Sequence, residues 1–195
     1  MKIIVFGSTG LIGKELVNQL SENHDVIEIS RSSTDITADY TDEKSLIKMF
    51  EKIGSFDSLI NVAGRDTQFV HSNELTPGHF MYGAQRKLMG QINLVLIGQK
   101  YINKGGSFTL SSGYLNYYPN SYSMATSPFN AFIDNFVESM STNMQNDIRI
   151  NVVSPSPVGE TLQHGKVTPE FVSKSYIKSV EGSDTGKVFK AWNMD

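Results

Sequence analysis

The chain opens on a short apolar run, Ile3-Ile4-Val5-Phe6, that passes through a glycine-rich corner into a helical pattern of hydrophobic and polar positions. The same alternation continues to the end. Apolar segments of strand-like period fall near residues 2–6, 25–29, 36–40, 57–62, 107–111, 148–153 and 186–190. Segments of helical period lie between them, at about 11–22, 42–53, 84–103, 121–145 and 169–180. Thr41, Asp42 and Glu43 form a capped helix start. Short strands separated by helices need crossover connections, so the predicted sheet is parallel and covered on both faces. No internal repeat and no low-complexity linker interrupts the pattern, and 195 residues are expected to form one domain over 1–195.

The corner itself carries the first chemistry. It reads Gly7-Ser8-Thr9-Gly10-Leu11-Ile12-Gly13, between a strand and a helix. In a dinucleotide-binding entry one glycine serves the tight turn, one lets backbone N–H groups approach the pyrophosphate, and one lets the helix pack closely on the strand. The phosphate then rests on a helix N-terminus, where unpaired amides and the macrodipole favour negative charge. Any strand-to-helix corner can use glycine for a positive φ, but here strand, loop and helix follow in the required order. The fold class expected is α/β, a Rossmann-type doubly wound parallel sheet of about seven strands with helices on both faces. Its ligand site lies outside the carboxyl ends of the strands, at Gly7 to Gly13, Ser30-Arg31-Ser32-Ser33, Asp39-Tyr40, Asn61-Val62-Ala63-Gly64, Ser111-Ser112-Gly113 and Ser154-Pro155-Ser156-Pro157.

Charge and composition remove several classes of partner. A net charge of −3 and a pI near 5.8 leave no basic footprint, so neither nucleic acid nor an anionic membrane is an expected partner. The absence of cysteine excludes disulfides, a thiol nucleophile and Cys-type zinc sites. His24, His71, His79 and His164 have no paired ligand spacing, and no metal site is expected. The first strand begins at Lys2, and no apolar run reaches the length of a membrane span, so a cytoplasmic location is expected.

Several of the strand ends resemble those of the short-chain dehydrogenase/reductase family, over nearly the whole chain. Asn61-Val62-Ala63-Gly64 resembles the family's Asn-Asn-Ala-Gly, and Leu110-Ser111-Ser112 its Ile-Ser-Ser. Ile148-Arg149-Ile150-Asn151-Val152-Val153-Ser154-Pro155 resembles its sixth strand, and Thr185-Gly186-Lys187-Val188 the opening of its last. The glycine loop resembles the GxxGxxG variant of atypical members. The resemblance implies nucleotide contacts from Gly7 to Gly13, from Ser30, Arg31, Ser32, Asp39, Tyr40, Asn61, Ala63 and Gly64, and from Pro155, Val158 and Thr161. It also implies a homo-oligomer, dimer or tetramer, paired through the long helices.

The family's catalytic set is a Ser, a Tyr, a Lys four residues after the Tyr, and an Asn on the preceding helix. Ser112 and Tyr122 match two of these positions, whereas Thr126 stands where the lysine belongs and Lys87 where the asparagine belongs. A tyrosine near pKa 10 is a poor base at neutral pH without a nearby cation, and Thr126 supplies none. Tyr122 reads either as a proton donor to a carbonyl or as a surface aromatic, and Lys87 either as a solvated charge or as a cation projecting into the site. The segment from Thr161 to Pro169 is brief where the family covers its substrate, which predicts an open site.

Cofactor preference is legible at the second strand's end. NAD-preferring sites place a carboxylate there for the ribose 2′-OH, whereas Ser30-Arg31-Ser32-Ser33 offers hydroxyls and a guanidinium that can pair with a 2′-phosphate. NADP(H) is therefore the expected cofactor, with Asp39 beside the adenine. Two functions follow from the resemblance: an NADP(H)-dependent short-chain oxidoreductase acting on a small carbonyl or alcohol, or a catalytically inactive NADP(H)-binding regulatory or sensor protein.

Overall fold

The computed structural model describes residues 1–32, 34–64, 68–159, 161 and 165–193. Its strands are β1 (Lys2–Phe6), β2 (Asp25–Ser30), β3 (Ile36–Thr37), β4 (Phe56–Asn61), β5 (Ile102–Ser111), β6 (Arg149–Pro155) and β7 (Val188–Ala191). They form one sheet in the order β3-β2-β1-β4-β5-β6-β7, every neighbouring pair parallel. The helices are α1 (Leu11–Leu20), α2 (Glu43–Ile53), α3 (Pro77–Gly83), α4 (Gly90–Gly98), α5 (Ser127–Ser141) and α6 (Pro169–Glu181), with a π-helical turn, Ala84–Met89, joining α3 to α4.

Successive strand side chains point to opposite faces, and the first strand sorts the core accordingly. Ile4 and Phe6 join Leu46, Phe50, Leu94, Val95, Ile133 and Val137 under α2, α4 and α5. Ile3 and Val5 join Leu16, Leu20, Val172, Tyr176 and Val180 under α1 and α6. All four β1 residues from Ile3 to Phe6 are buried, as a strand covered on both faces requires. The α2 helix starts where its cap was expected: the Asp42 carboxylate accepts the Lys44 N–H at 3.0 Å.

Several boundaries differ from the periodicity. The helix expected at 84–103 begins at Pro77, because Thr76 caps it reciprocally with His79, whose Nδ1 accepts the Thr76 N–H at 3.0 Å, and Pro77 suits the first turn. It ends at Gly98, and β5 starts at Ile102. The helix expected at 121–145 begins at Ser127: Ser123 and Asn120 close a turn ahead of it, and Pro128 stands in its first turn. The strand expected over 36–40 pairs only through Ile36 and Thr37.

The π turn is held between two close contacts. A Cβ at Gly83 would lie 2.5 Å from the Phe129 ring of α5, and one at Gly90 would lie 2.5 Å from the Tyr40 ring. Both ends are therefore pressed against the body of the protein, and the residues between them adopt the wider winding.

Candidate functional site

Around β1 the sheet order reverses, with β2 on one side and β4 on the other, so a crevice opens beyond the strand ends. The glycine corner forms its floor. Gly7 adopts φ +92°, and its N–H donates to the Ile29 carbonyl at 2.8 Å. A Cβ on Gly13 would lie 2.2 Å from the Gly7 carbonyl oxygen and 2.7 Å from Ser8 Cα, so the first turn of α1 rests directly on the loop backbone. No side chain caps α1. Its leading amides are thus unclaimed, while Thr9, Gly10 and Leu11 are exposed. This cradle fits a pyrophosphate: backbone donors at a helix N-terminus that no side chain caps among the described residues. Ser8 turns inward, its Oγ 3.4 Å from the Ile29 carbonyl, and Ile12 is half-buried.

At the β2 end, Ser30 is buried and its N–H donates to Thr34 Oγ1 at 3.0 Å, which closes a turn that leaves Arg31 and Ser32 exposed. Ser33 lies outside the described residues. Asp39 Oδ1 accepts both the backbone N–H and the hydroxyl of Thr41, at 2.9 and 2.7 Å. Burial pushes the Asp39 carboxyl up, but these bonds and the charges of Arg86 and Arg31 outweigh it and hold the carboxyl below its ordinary value. Tyr40 packs in the core, its ring 5.5 Å from that of Phe6, so its aromatic body serves the fold. Beyond β4, the Asn61 side chain folds back onto Ala63, donating to its carbonyl at 3.0 Å. Ala63 and Gly64 are half-buried beside the glycine corner, where a Cβ on Gly7 would meet the Ala63 nitrogen at 2.7 Å.

The β5 end meets the π turn. Lys87 is buried, and its Nζ donates to the Ser112 carbonyl at 3.2 Å. Gln91, one turn on, ties the strand to the helix in both directions: its Nε2 donates to the Ser111 carbonyl and its Oε1 accepts the Ser111 N–H, each at 2.9 Å. Burial pushes the Lys87 ammonium down from its ordinary value to about 8, with the Asp134 carboxylate acting in the opposite direction. The Ser112 hydroxyl is buried with no protein partner. The same residue thus carries an unpartnered hydroxyl and, on its backbone carbonyl, the buried Lys87 cation.

Tyr122 lies outside the helix that the periodicity starts at residue 121. It sits in the turn ahead of α5, is 53% exposed, and sets its ring edge-on to His71 at 5.0 Å. Thr126, the residue ahead of α5, and Asn130 in its first turn are buried, and a Cβ on Gly113 would stand 3.0 Å from Asn130 Nδ2. In the aromatic loop Tyr117 and Tyr118 pack on Trp192 and Tyr114 packs on Tyr118, with Lys190 Nζ 4.3 Å from the Tyr117 ring centre. Past β6, Pro155 pairs with Ala191 and Val158 bridges to Val167, while Thr161 is exposed. Glu160, Leu162, Gln163 and His164 lie outside the described residues. An open apolar groove of about 490 Å³ under Leu75, Thr76, Pro77, Phe80 and Met81 shares none of these polar groups.

A family model described as the NAD dependent epimerase/dehydratase family matches residues 3–114, from the start of β1 past the end of β5. The chain belongs to this family. Proteins of known structure resemble it throughout. The protein lin1944 from Listeria innocua is 33% identical, with a TM-score of 0.93 over 98% of this chain and 100% of that one. A small-chain dehydrogenase in complex with NADPH is 27% identical, with a TM-score of 0.89 over 100% of this chain and 98% of that one. Among curated proteins, a peroxisomal 2,4-dienoyl-CoA reductase of Arabidopsis thaliana is 26% identical over 157 residues, 74% of this chain. This chain spans about half the length of that relative, 51%. The short-chain dehydrogenase/reductase character read from the strand ends thus extends over the whole epimerase/dehydratase-family chain. Among the described residues no helix is long and apolar enough to cross a membrane.

Sequence reasoning missed Gln91, Asn130 and Asp134. A signal was present: Thr126, Asn130 and Asp134 recur every fourth residue among apolar positions of one helix.

Proposed function

We propose that this chain is an NADP(H)-dependent oxidoreductase that reduces a small carbonyl, with Lys87 as proton donor and Ser112 as the hydrogen-bond donor that orients the substrate oxygen. The observation that supports it is the buried Lys87 ammonium, poised near neutral pH beside the unpartnered Ser112 hydroxyl. Groups tuned toward the working pH at the end of a parallel strand suit general acid catalysis. The Gly7–Gly13 cradle would hold the pyrophosphate, Arg31 and Ser32 the 2′-phosphate, and Asn61, Ala63 and Gly64 the path toward the strand-end crevice. When bound, the dihydronicotinamide supplies a hydride to the carbonyl carbon. Ser112 donates to the carbonyl oxygen, and Lys87 gives up one N–H proton to it, so an O–H bond forms and a neutral amine remains. Exposed Met89, Leu96 and Phe132 support pairing of copies through α4 and α5.

NADPH at a hundredfold excess over its Kd is expected to stabilise the protein by about 2.7 kcal/mol. For a chain of this length that corresponds to roughly 5–10 °C in Tm. NADH should give a smaller rise, and Arg31→Ala should erase the difference, since a guanidinium pairs with a phosphate more strongly than with a ribose hydroxyl. Equal rises from the two cofactors in the wild type would remove the NADP(H) assignment. Tyr122→Phe is expected to leave carbonyl reduction within about twofold of wild type, because a half-exposed ring on His71 contributes no acid; an acid–base role would show as a loss of 10² or more. The second reading, a nucleotide sensor without turnover, draws on that same displacement of Tyr122 from α5. NADPH binding with no oxidation across a broad carbonyl panel would establish it.

A further inference from the structure

The first two turns of α5 carry a polar stripe that no apolar-helix argument explains. Thr126, Asn130 and Asp134 recur at i, i+4 and i+8, so they share one face. That face meets the β5 end of the site, where Asn130 abuts Gly113. Thr126, Asn130 and Asp134 are 3%, 1% and 9% exposed. Yet Thr126 Oγ1, Asn130 Oδ1 and Asp134 Oδ1 are all buried with no protein partner, as is Ser112 Oγ. Three such atoms along one helix face and a fourth on Ser112, the chain neighbour of the Gly113 that Asn130 abuts, run against the rule that buried polar groups are satisfied, unless ordered water or a polar ligand completes them.

The charges around this stripe define what it does. Lys87 projects toward it from the π turn, with one protein acceptor, the Ser112 carbonyl, for three N–H donors. Asp134 is fixed from its far side, where Oδ2 accepts Asn116 Nδ2 at 2.7 Å and the Tyr117 hydroxyl at 3.1 Å. From β7, Lys190 stands over the Tyr117 ring. From α6, Tyr176 is hydrogen-bonded to Ser111, its phenol pushed up by burial and so neutral. The Arg86 charge is directed at Asp39. Asp134 is therefore the anion that faces Lys87, without direct contact: no ion pair joins them within 4.0 Å among the described residues.

We propose that Asp134 is the positioning residue of Lys87, its carboxylate serving as counter-charge across a hydrated stripe formed by Thr126, Asn130 and Asp134. Ordered water along the stripe satisfies the four orphaned atoms, keeps the ammonium aimed at the Ser112 end, and returns a proton to the neutral amine from solvent near Tyr117, which is 39% exposed. This rests on the reading of Lys87 as proton donor, but it is tested without turnover.

The experiment follows the titration of Lys87 by NMR in the full chain carrying ¹³C-labelled lysine, with Lys87→Met assigning the signal. Wild type is expected to titrate near 8, and Asp134→Asn, which keeps the shape and one acceptor oxygen, should lower the proton affinity at least tenfold. Tyr117→Phe removes one hydrogen bond from the carboxylate while keeping the ring under Lys190. It should raise the affinity of Lys87, by about twofold or more, and carries the test if Asp134→Asn fails to fold. An unchanged Lys87 titration in the folded variants overturns the role of Asp134, whatever the enzyme's activity. A wild-type Lys87 that titrates at its ordinary value overturns the proton-donor reading instead.

Discussion

Lys87→Met is expected to lower carbonyl reduction by 10² to 10⁴ while raising Tm by about 5 °C. The two effects have one cause. Held at about 8 against an ordinary 10.5, the buried ammonium costs the fold on the order of 3 kcal/mol at neutral pH, because water solvates the charge better than this site does. Methionine fills much of the same volume with no charge to desolvate, and a domain of this size gains roughly 2–4 °C per kcal/mol, less what Asp134 loses as its counter-charge goes. The sign with pH is definite. Between about 8 and 10.5 the unfolded chain binds the proton that the folded chain has released, so wild-type stability should rise with pH through that window relative to Lys87→Met. Reduction should move the other way, constant below about pH 7 and falling tenfold per unit above 8 as the donor loses its proton. Denaturation of both proteins at pH 7 and pH 10, with the pH profile of turnover, measures all of this. A less stable Lys87→Met protein with full activity would make Lys87 an ordinary core residue.

Gly13→Val is expected to abolish nucleotide binding, by a hundredfold or more in Kd, while the far-UV spectrum stays near wild type. The β-carbon would lie 2.2 Å from a carbonyl oxygen and 2.7 Å from an α-carbon, both backbone atoms with no rotamer to escape into. The corner must shift, and with it the amides that would face the pyrophosphate, but the buried strand behind it is untouched. The NADPH-induced rise in Tm should vanish in this variant. A full thermal shift would mean that the loop serves only as a turn.

The strands and their parallel arrangement were legible in the sequence because each buried strand is a short apolar run closed by small residues, and parallel topology follows from the helices between them. Gly7 to Gly13 and the Asn61 and Ser112 strand ends were legible because they form contiguous words. What was illegible depends on contact between words. The Tyr122 to Thr126 spacing looks like a helical pair, yet Ser123, bonded to Asn120, holds that stretch in a turn and delays α5 to Ser127. The helical period through 84–103 conceals the start at Pro77, and Lys87 looks like any solvated helix charge until Ser112 and α5 close over it.

The winding of the Ala84–Met89 turn gives that lysine an unusual dependence on chain length. An α-helix advances about 100° per residue, so a wider π turn accommodates a residue that regular winding would not. Because α4 is anchored in the core through Leu94 and Val95, deletion of one residue between Ala84 and Lys87 would let the segment revert to α winding from its C-terminal side. Regular winding would absorb the loss, so α3 and α4 would keep their relation while the residues inside the rewound stretch turn to new directions. Gly83 would keep its place against the Phe129 ring, but Lys87, inside the rewound stretch, would turn away from the Ser112 carbonyl that now holds it, with no substitution in the sheet. A single-codon deletion could therefore separate nucleotide binding from proton donation within one fold, leaving the glycine corner and every strand as they are.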